Sequence, residues 1–240
     1  MTLIRKMVAK SLKRVPTGIQ GFDDLIEGGL VEGSLTLITG TPGTAKTIFG
    51  LQYIANGAKE YGDKGVFITF EQSEESLCRQ LTSFGYDMDG LLKKGLIKII
   101  ELESGMGADK DPFQQLMDKK LVEEMKSFAP KRVVLDSISL LTNLSPSLPD
   151  DRKAVGEVAG FFKYMGATTM FTHERKTSAM GNLEYSMEEF LADGIVHLQL
   201  HMTENFLNRY LTVIKMRETN QSTGVYKFNL KEKGIYILRS

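Results

Sequence analysis

The residues with the clearest chemical potential form one run, Gly40-Thr41-Pro42-Gly43-Thr44-Ala45-Lys46-Thr47. The run matches the P-loop pattern G-x-x-x-x-G-K-[ST], except that Ala45 replaces the last glycine. In such a loop, backbone N–H groups and the following helix N-terminus bind phosphate oxygens. Lys46 would then reach the β- and γ-phosphates, and Thr47 would ligate Mg²⁺. The run therefore predicts a site for ATP or ADP with Mg²⁺.

Ala45 leaves two alternatives open. If this position needs a positive φ, alanine costs about 1 kcal/mol or more, whereas in the first helical turn it fits without strain. The loop resembles the G-x-P-G-x-A-K-S loop of MCM replicative helicases, which also has alanine there. A degenerate loop without nucleotide is the competing interpretation, but Lys46 and Thr47 both remain.

Two carboxylates follow apolar runs. Asp136 ends the run 132–136, which is typical of a Walker B strand whose carboxylate holds the Mg²⁺ shell. Glu71 follows the run 66–70, where it could orient and polarise an attacking water. The alternative for Glu71 is a helix N-cap or a surface acid. We predict that Glu71 and Asp136 belong to the nucleotide site.

Lys215 and Arg217 end a late apolar run. Side chains two positions apart on a strand share one face, so both cations could meet a phosphate on this chain or on a neighbour. A solvated strand end is the alternative.

The elements that must position these residues alternate between strand and helix patterns. Apolar runs predict strands at 34–39, 65–70, 96–101, 132–136 and 167–172. Helical spacing predicts helices at 48–59, 74–84, 87–94, 113–128 and 150–165. Four further strands, at 194–202, 209–217, 225–230 and 234–238, follow with short turns. This order predicts an α/β fold with a mainly parallel sheet, helices on both faces and an antiparallel C-terminal extension.

Composition narrows the class of protein. The chain has 240 residues, 30 basic and 30 acidic side chains, 42% hydrophobic residues and one cysteine. These values exclude a disordered chain and a disulfide framework, and the neutral charge disfavours a dedicated nucleic-acid binder. Without an apolar run of about 18 residues, no membrane span is predicted, and we expect a cytoplasmic protein. We predict a basic amphipathic arm at 1–14 and a single domain at 15–240.

Taken in order, these motifs resemble the KaiC-like branch of the RecA/RadA superfamily. The resemblance rests on the following segments. They are Pro16-Thr17-Gly18-Ile19-Gln20-Gly21-Phe22-Asp23, Gly28-Gly29-Leu30, Glu32-Gly33-Ser34, Thr69-Phe70-Glu71, Glu188-Glu189-Phe190, Ala192-Asp193-Gly194 and Lys215-Met216-Arg217.

The resemblance implies a RecA-like P-loop ATPase core that assembles as a ring, expected to be a homohexamer with nucleotide between subunits. Lys46, Thr47 and Asp136 would then act within one chain, while Lys215 and Arg217 would stabilise the γ-phosphate of a neighbour. Glu71 would match the first of two adjacent catalytic glutamates, and the second is Gln72 here. Hydrolysis is therefore expected to be slow, in a regulatory or signalling protein.

Two alternatives stay open. A DNA-binding recombination ATPase of the RadA or RadB type would need cations in its DNA loops, but the segment 142–151 has none and 173–186 has only Arg175 and Lys176. The basic arm could compensate for this shortage. An ATP-binding regulator with little or no hydrolysis is the second alternative, because Gln72 and Ala45 both depart from the family pattern.

Overall fold

A nine-stranded sheet organises the chain in the computed structural model, which describes residues 12–103, 111–143, 151–175 and 191–238. The strands are β1 (Arg14–Val15), β2 (Leu30–Val31), β3 (Leu35–Gly40), β4 (Gly65–Thr69), β5 (Ile97–Glu101), β6 (Arg132–Asp136), β7 (Thr168–Glu174), β8 (Gly194–Met202), β9 (Leu207–Met216), β10 (Val225–Lys231) and β11 (Gly234–Ile237). The helices are α1 (Lys46–Tyr61), α2 (Glu74–Thr82), α3 (Met88–Lys93), α4 (Pro112–Leu116), α5 (Lys119–Phe128), α6 (Ser139–Asn143) and α7 (Asp151–Tyr164), with a short 3₁₀ helix at Asp23–Ile26.

The strand order in the main sheet is β11-β10-β9-β8-β3-β7-β6-β4-β5. The six strands from β8 to β5 in this order are parallel, and β9, β10 and β11 extend the sheet in antiparallel fashion beyond β8. Strands β1 and β2 form a separate antiparallel pair. The predicted α/β fold, with its parallel centre and antiparallel C-terminal strands, is confirmed.

The central strands form because both of their faces are covered by helices. Every residue of β3, β4 and β6 is buried, which is typical of parallel strands between two helical layers. Ile38 of β3 packs into the hydrophobic cluster that contains Phe49 of α1. Its neighbour Leu37 packs into the second cluster, with Phe162 of α7. Alternate side chains of one strand thus serve two cores.

A buried cation joins β6 to α1. Arg132 is fully buried, and its Nε and Nη2 donate to Asp63 Oδ2 at 2.9 and 2.7 Å. Its Nη1 also donates to the carbonyl oxygens of Pro16 and Tyr53. Gly57 leaves room for this guanidinium, since a Cβ there would lie 2.2 Å from Arg132 Nε. The paired and hydrogen-bonded charge fixes the start of β6 against the end of α1.

Some boundaries differ from the predictions. The helix expected at 113–128 is divided into two helices, α4 and α5. The division occurs because the Asp118 carboxylate caps the N-terminus of α5, where it accepts a hydrogen bond from Lys120 N at 3.0 Å. Arg14, assigned to the helical arm, lies instead in β1, where its guanidinium donates to the carbonyl oxygens of Ile26 and Gly29. Residues 1–11 of the predicted arm lie outside the described residues, as do Glu188-Glu189-Phe190 and most of both segments considered for DNA.

Candidate functional site

Most of the predicted site residues meet at one edge of the sheet. We call this the P-loop edge, formed by the C-terminal ends of β3, β4, β6 and β7. The run 40–47 joins β3 to α1, Glu71 follows β4, and Asp136 ends β6. Open α/β sheets place their ligand sites at this edge because the strand ends and helix N-termini converge there.

The P-loop backbone explains two of its glycines and the departure at Ala45. A Cβ on Gly40 would lie 2.5 Å from the carbonyl oxygen of Leu198, and Gly43 has φ 81°. The Thr44 hydroxyl closes the loop by donating to Thr41 O at 2.8 Å. Ala45 has φ 77° and ψ 28°, immediately before α1. Of the two alternatives for Ala45, the left-handed and strained conformation is the one observed.

Lys46 is directed at the loop itself. Its Nζ donates to Gly40 O at 2.9 Å and to Thr41 O at 3.0 Å. Burial lowers the pKa of Lys46, and the nearby carboxylates of Glu174, Asp136 and Glu71 act in the opposite direction. The ammonium is therefore held where phosphate oxygens could replace the two carbonyl oxygens as acceptors.

Asp136 and Thr47 are in direct contact. Thr47 Oγ1 donates to Asp136 Oδ2 at 2.8 Å, and Thr172 Oγ1 donates to Asp136 Oδ1. Burial raises the pKa of Asp136, while these two hydrogen bonds lower it. One hydroxyl and one carboxylate fit the few protein ligands that Mg²⁺ takes beside nucleotide phosphates. Within the described residues, no cluster of three His, Cys, Asp or Glu side chains could hold a metal by itself.

Glu71 lies in the turn after β4, which Thr69 Oγ1 stabilises by accepting from the amides of Glu71 and Gln72 at 3.3 and 3.2 Å. Glu71 is exposed, as expected for the alternative of a surface acid, but partial desolvation and then the charges of Asp136 and Glu174 raise its pKa, and Lys46 opposes this. The N-cap of α2 is Ser73, so the structure does not support the alternative in which Glu71 caps that helix.

Gln72 does not join this group. Its Oε1 accepts from Gln80 Nε2 on α2, which directs the amide toward the helix. Glu71 is thus the carboxylate of this turn that interacts with Lys46 and Asp136.

Sequence reasoning missed two residues at the P-loop edge. Glu174 ends β7 level with Gly40, two positions after Thr172, and its charge acts on both Lys46 and Glu71. Arg209 of β9 donates from Nε to Gly43 O at 3.2 Å. The alternation Thr172–Glu174 could have indicated the first, since both side chains belong to one face of β7. Arg209 lacks any motif and is brought to the loop by strand pairing.

Lys215 and Arg217 lie at the opposite edge, at the N-terminal ends of the parallel strands, which we call the far edge. Lys215 Nζ donates to Ala192 O at 2.6 Å, and Arg217 Nη1 donates to Asp193 Oδ1 at 3.0 Å. Burial and the charge of Arg217 lower the pKa of Lys215. Asp193 bonds to Leu35, which precedes Gly40 by five residues, or about 16 Å along a strand. The structure therefore does not bring these cations to the chain's own P-loop.

None of the helices in the described ranges has the length and apolar character needed to cross a bilayer.

Comparison with known proteins identifies the family and a similar fold. The sequence matches the family described as ATPase: KaiC over residues 15–240. A KaiC-like protein from the hyperthermophilic archaeon Pyrococcus horikoshii has a crystal structure that superposes with a TM-score of 0.81. That protein is 35% identical, and the match covers 95% of this chain and all of the archaeal chain.

Longer relatives are also similar. The circadian clock oscillator protein KaiC of Prochlorococcus marinus subsp. pastoris is 31% identical over 98% of this chain. The protein of the same name from Synechococcus elongatus is 30% identical over 95% of this chain. The matches cover 47% and 44% of these two proteins, so the chain spans less than half the length of either relative.

Proposed function

The chain belongs to the KaiC ATPase family, and we propose that it binds ATP·Mg²⁺ and hydrolyses ATP slowly between the subunits of a homohexameric ring. The observation that carries this proposal is the division of the site between two edges. Lys46, Thr47, Asp136 and Glu71 lie at the P-loop edge, whereas Lys215 and Arg217 lie at the far edge. Only a neighbouring copy could bring the two sets together.

Each residue at the P-loop edge has a proposed role. Lys46 exchanges its two loop carbonyl acceptors for β- and γ-phosphate oxygens, and the loop amides bind the remaining oxygens. Thr47 and Asp136 would hold Mg²⁺, which supplies charge neutralisation when bound. Glu71 orients the attacking water and accepts its proton, a role for which a raised pKa is suited.

Across the subunit interface, Lys215 and Arg217 stabilise charge that develops on the γ-phosphate of the neighbour. Head-to-tail contacts between identical chains close into rings when the rotation per subunit allows it, and such contacts place one far edge against the next P-loop edge. The single thiol, Cys78, favours the cytoplasm as the compartment of this ring.

A specific observation also favours a second function, that of an ATP-dependent regulator with very little turnover. Gln72 cannot act as a base, and its amide is engaged by Gln80. Glu71 would then have to activate water alone. Comparing the rate of ATP turnover with ATP binding on one preparation separates the two functions. Adding single-stranded DNA to the same assay tests the recombination alternative.

The experiment that tests the proposal measures ATP·Mg²⁺ binding to the Lys46→Ala variant by calorimetry. We expect at least a tenfold loss of affinity, because the ammonium that compensates phosphate charge is removed. Lys59→Ala is the matched control, since Lys59 lies exposed near the end of the same helix. Equal ATP affinity in Lys46→Ala and wild type would disprove the P-loop assignment.

A further inference from the structure

Asp193 joins Arg217, one of the two cations at the far edge, to the strand that leads to the P-loop. We propose that Asp193 is a positioning residue, which holds Arg217 in the conformation that the neighbouring subunit's ATP site requires. This inference rests on the proposed function. It assigns a task to a carboxylate that the sequence marked only as part of a family segment.

The two carboxylate oxygens of Asp193 serve two different partners. Oδ1 accepts from Arg217 Nη1 at 3.0 Å, and Oδ2 accepts from the backbone amide of Leu35 at 3.1 Å. The main chain repeats both links, because Asp193 N donates to Leu35 O and Arg217 N donates to Asp193 O, each at 2.8 Å. Four hydrogen bonds thus tie Arg217 through Asp193 to the first residue of β3.

The exposure of the Arg217–Asp193 ion pair indicates that it contributes to positioning more than to the stability of the fold. The Arg217 side chain is 55% exposed and that of Asp193 is 23% exposed. Ion pairs this accessible contribute little to folding. An unrestrained arginine, however, loses rotamer freedom when it docks on a phosphate. Asp193 restricts that freedom before the neighbouring ATP arrives, so its effect is expected on turnover rather than on folding.

The hydrogen bond to Asp193 also leaves most of the Arg217 donors available for phosphate. Arg217 has five donors, and Nη1 is the one that donates to Asp193 Oδ1. The remaining donors can serve phosphate oxygens while this bond holds the plane of the guanidinium. Lys215 donates instead to the carbonyl oxygen of Ala192, so loss of the Asp193 carboxylate removes a hydrogen bond from Arg217 and none from Lys215.

The test is a double-mutant cycle on the assembled protein. Asp193→Asn keeps the side-chain volume but replaces one of the two acceptor oxygens with an NH2 donor. We expect the remaining oxygen to stay on the Leu35 amide, so that the NH2 group faces the Arg217 guanidinium and the bond that holds Arg217 is lost. We expect kcat to fall about 3- to 10-fold with KM and the melting temperature nearly unchanged. In an Arg217→Ala background, Asp193→Asn should produce no further loss, because its partner is gone.

Glu75→Gln is the matched control, since it removes a carboxylate from another exposed arginine pair, with Arg79 on α2. It should leave kcat unchanged. The positioning role of Asp193 is wrong if Arg217→Ala lowers turnover but Asp193→Asn does not, or if the two losses multiply in the double variant. Either result would still be compatible with an ATP site shared between subunits. If Arg217→Ala leaves turnover unchanged, the trans role of Arg217 and the role of Asp193 both fail.

Discussion

The two edges of the sheet differ in what one chain can accomplish with them. At the P-loop edge, Lys46, Thr47 and Asp136 are already linked to the loop or to one another by hydrogen bonds. At the far edge, Arg217 and Lys215 are anchored to residues 192 and 193, and no phosphate-binding loop lies beside them in the described part of the chain. Under the proposed function, a site divided in this way would make turnover depend on assembly, whereas nucleotide binding would need only the P-loop edge.

The largest expected effect comes from separating the edges onto different chains. Lys46→Ala disables one edge and Arg217→Ala the other, and a trans-acting arginine is worth roughly 10³–10⁵ in rate in other nucleotide hydrolases. Each variant alone should be nearly inactive. In an equal mixture that exchanges subunits, roughly a quarter of the interfaces combine two intact edges, so about that share of wild-type ATPase activity should return.

Protein concentration provides the control for this mixing experiment. Wild-type turnover per chain should fall on dilution as rings dissociate, with oligomer size followed by light scattering. Constant turnover in a chain that scatters as a monomer would show that both edges act without a partner, and the divided site would then be wrong.

The next effect lies within the P-loop edge. A general base contributes about 10²–10⁴-fold, so Glu71→Gln should lower kcat by that factor and leave ATP affinity intact. Gln72→Ala is the neighbouring control, because its amide contacts Gln80 rather than the site. If Gln72→Ala costs more turnover than Glu71→Gln, the catalytic assignment is wrong.

The raised pKa of Glu71 predicts the direction in which the pH profile of turnover is shifted. Burial, Asp136 and Glu174 raise the pKa of Glu71, and the active form is the carboxylate. Turnover should therefore be lost, as the pH falls, at a higher pH than an ordinary glutamate would give. Glu174→Gln removes one of the negative charges and should move this acidic limb to lower pH. An unchanged limb would mean that Glu71 does not control the profile.

The two edges also differ in how much of their arrangement the sequence could predict. Lys46, Thr47 and Asp136 were predictable because each belongs to a local pattern next to a strand, and parallel strands bring such ends together. The position of Arg217 was not, since it depends on how β8 and β9 pair, which no local pattern reports. Arg209 was missed for the same reason, whereas the local alternation of Thr172 and Glu174 on β7 could have indicated Glu174. Asp118 broke a predicted helix because its capping bond competes with helical hydrogen bonds.

The smallest expected effect is on stability, when each of two strained alanines, one near each edge, is replaced by glycine. Ala45 precedes α1 at φ 77°, and Ala129 follows α5 at φ 50°, just before the N-terminal end of β6. The left-handed conformation destabilises the folded state by about 1–2 kcal/mol for an L-residue, and glycine avoids this strain. Glycine also makes the unfolded chain more flexible, which lowers the free energy of unfolding by about 0.4–1 kcal/mol. Ala129→Gly should therefore raise the free energy of unfolding by up to about 1.6 kcal/mol.

Ala45→Gly should gain less, because the Ala45 methyl packs against the core cluster, whereas Ala129 is exposed. Thermal unfolding with and without ATP·Mg²⁺ measures both changes. The ATP-induced rise in melting temperature should stay at its wild-type value in Ala129→Gly, which is remote from the P-loop. It should also be nearly unchanged in Ala45→Gly, since glycine adopts the left-handed conformation observed at Ala45 without strain. A large drop in Ala45→Gly alone would show that the alanine stiffens the loop for phosphate. The departure at this position would then contribute to binding rather than weaken it.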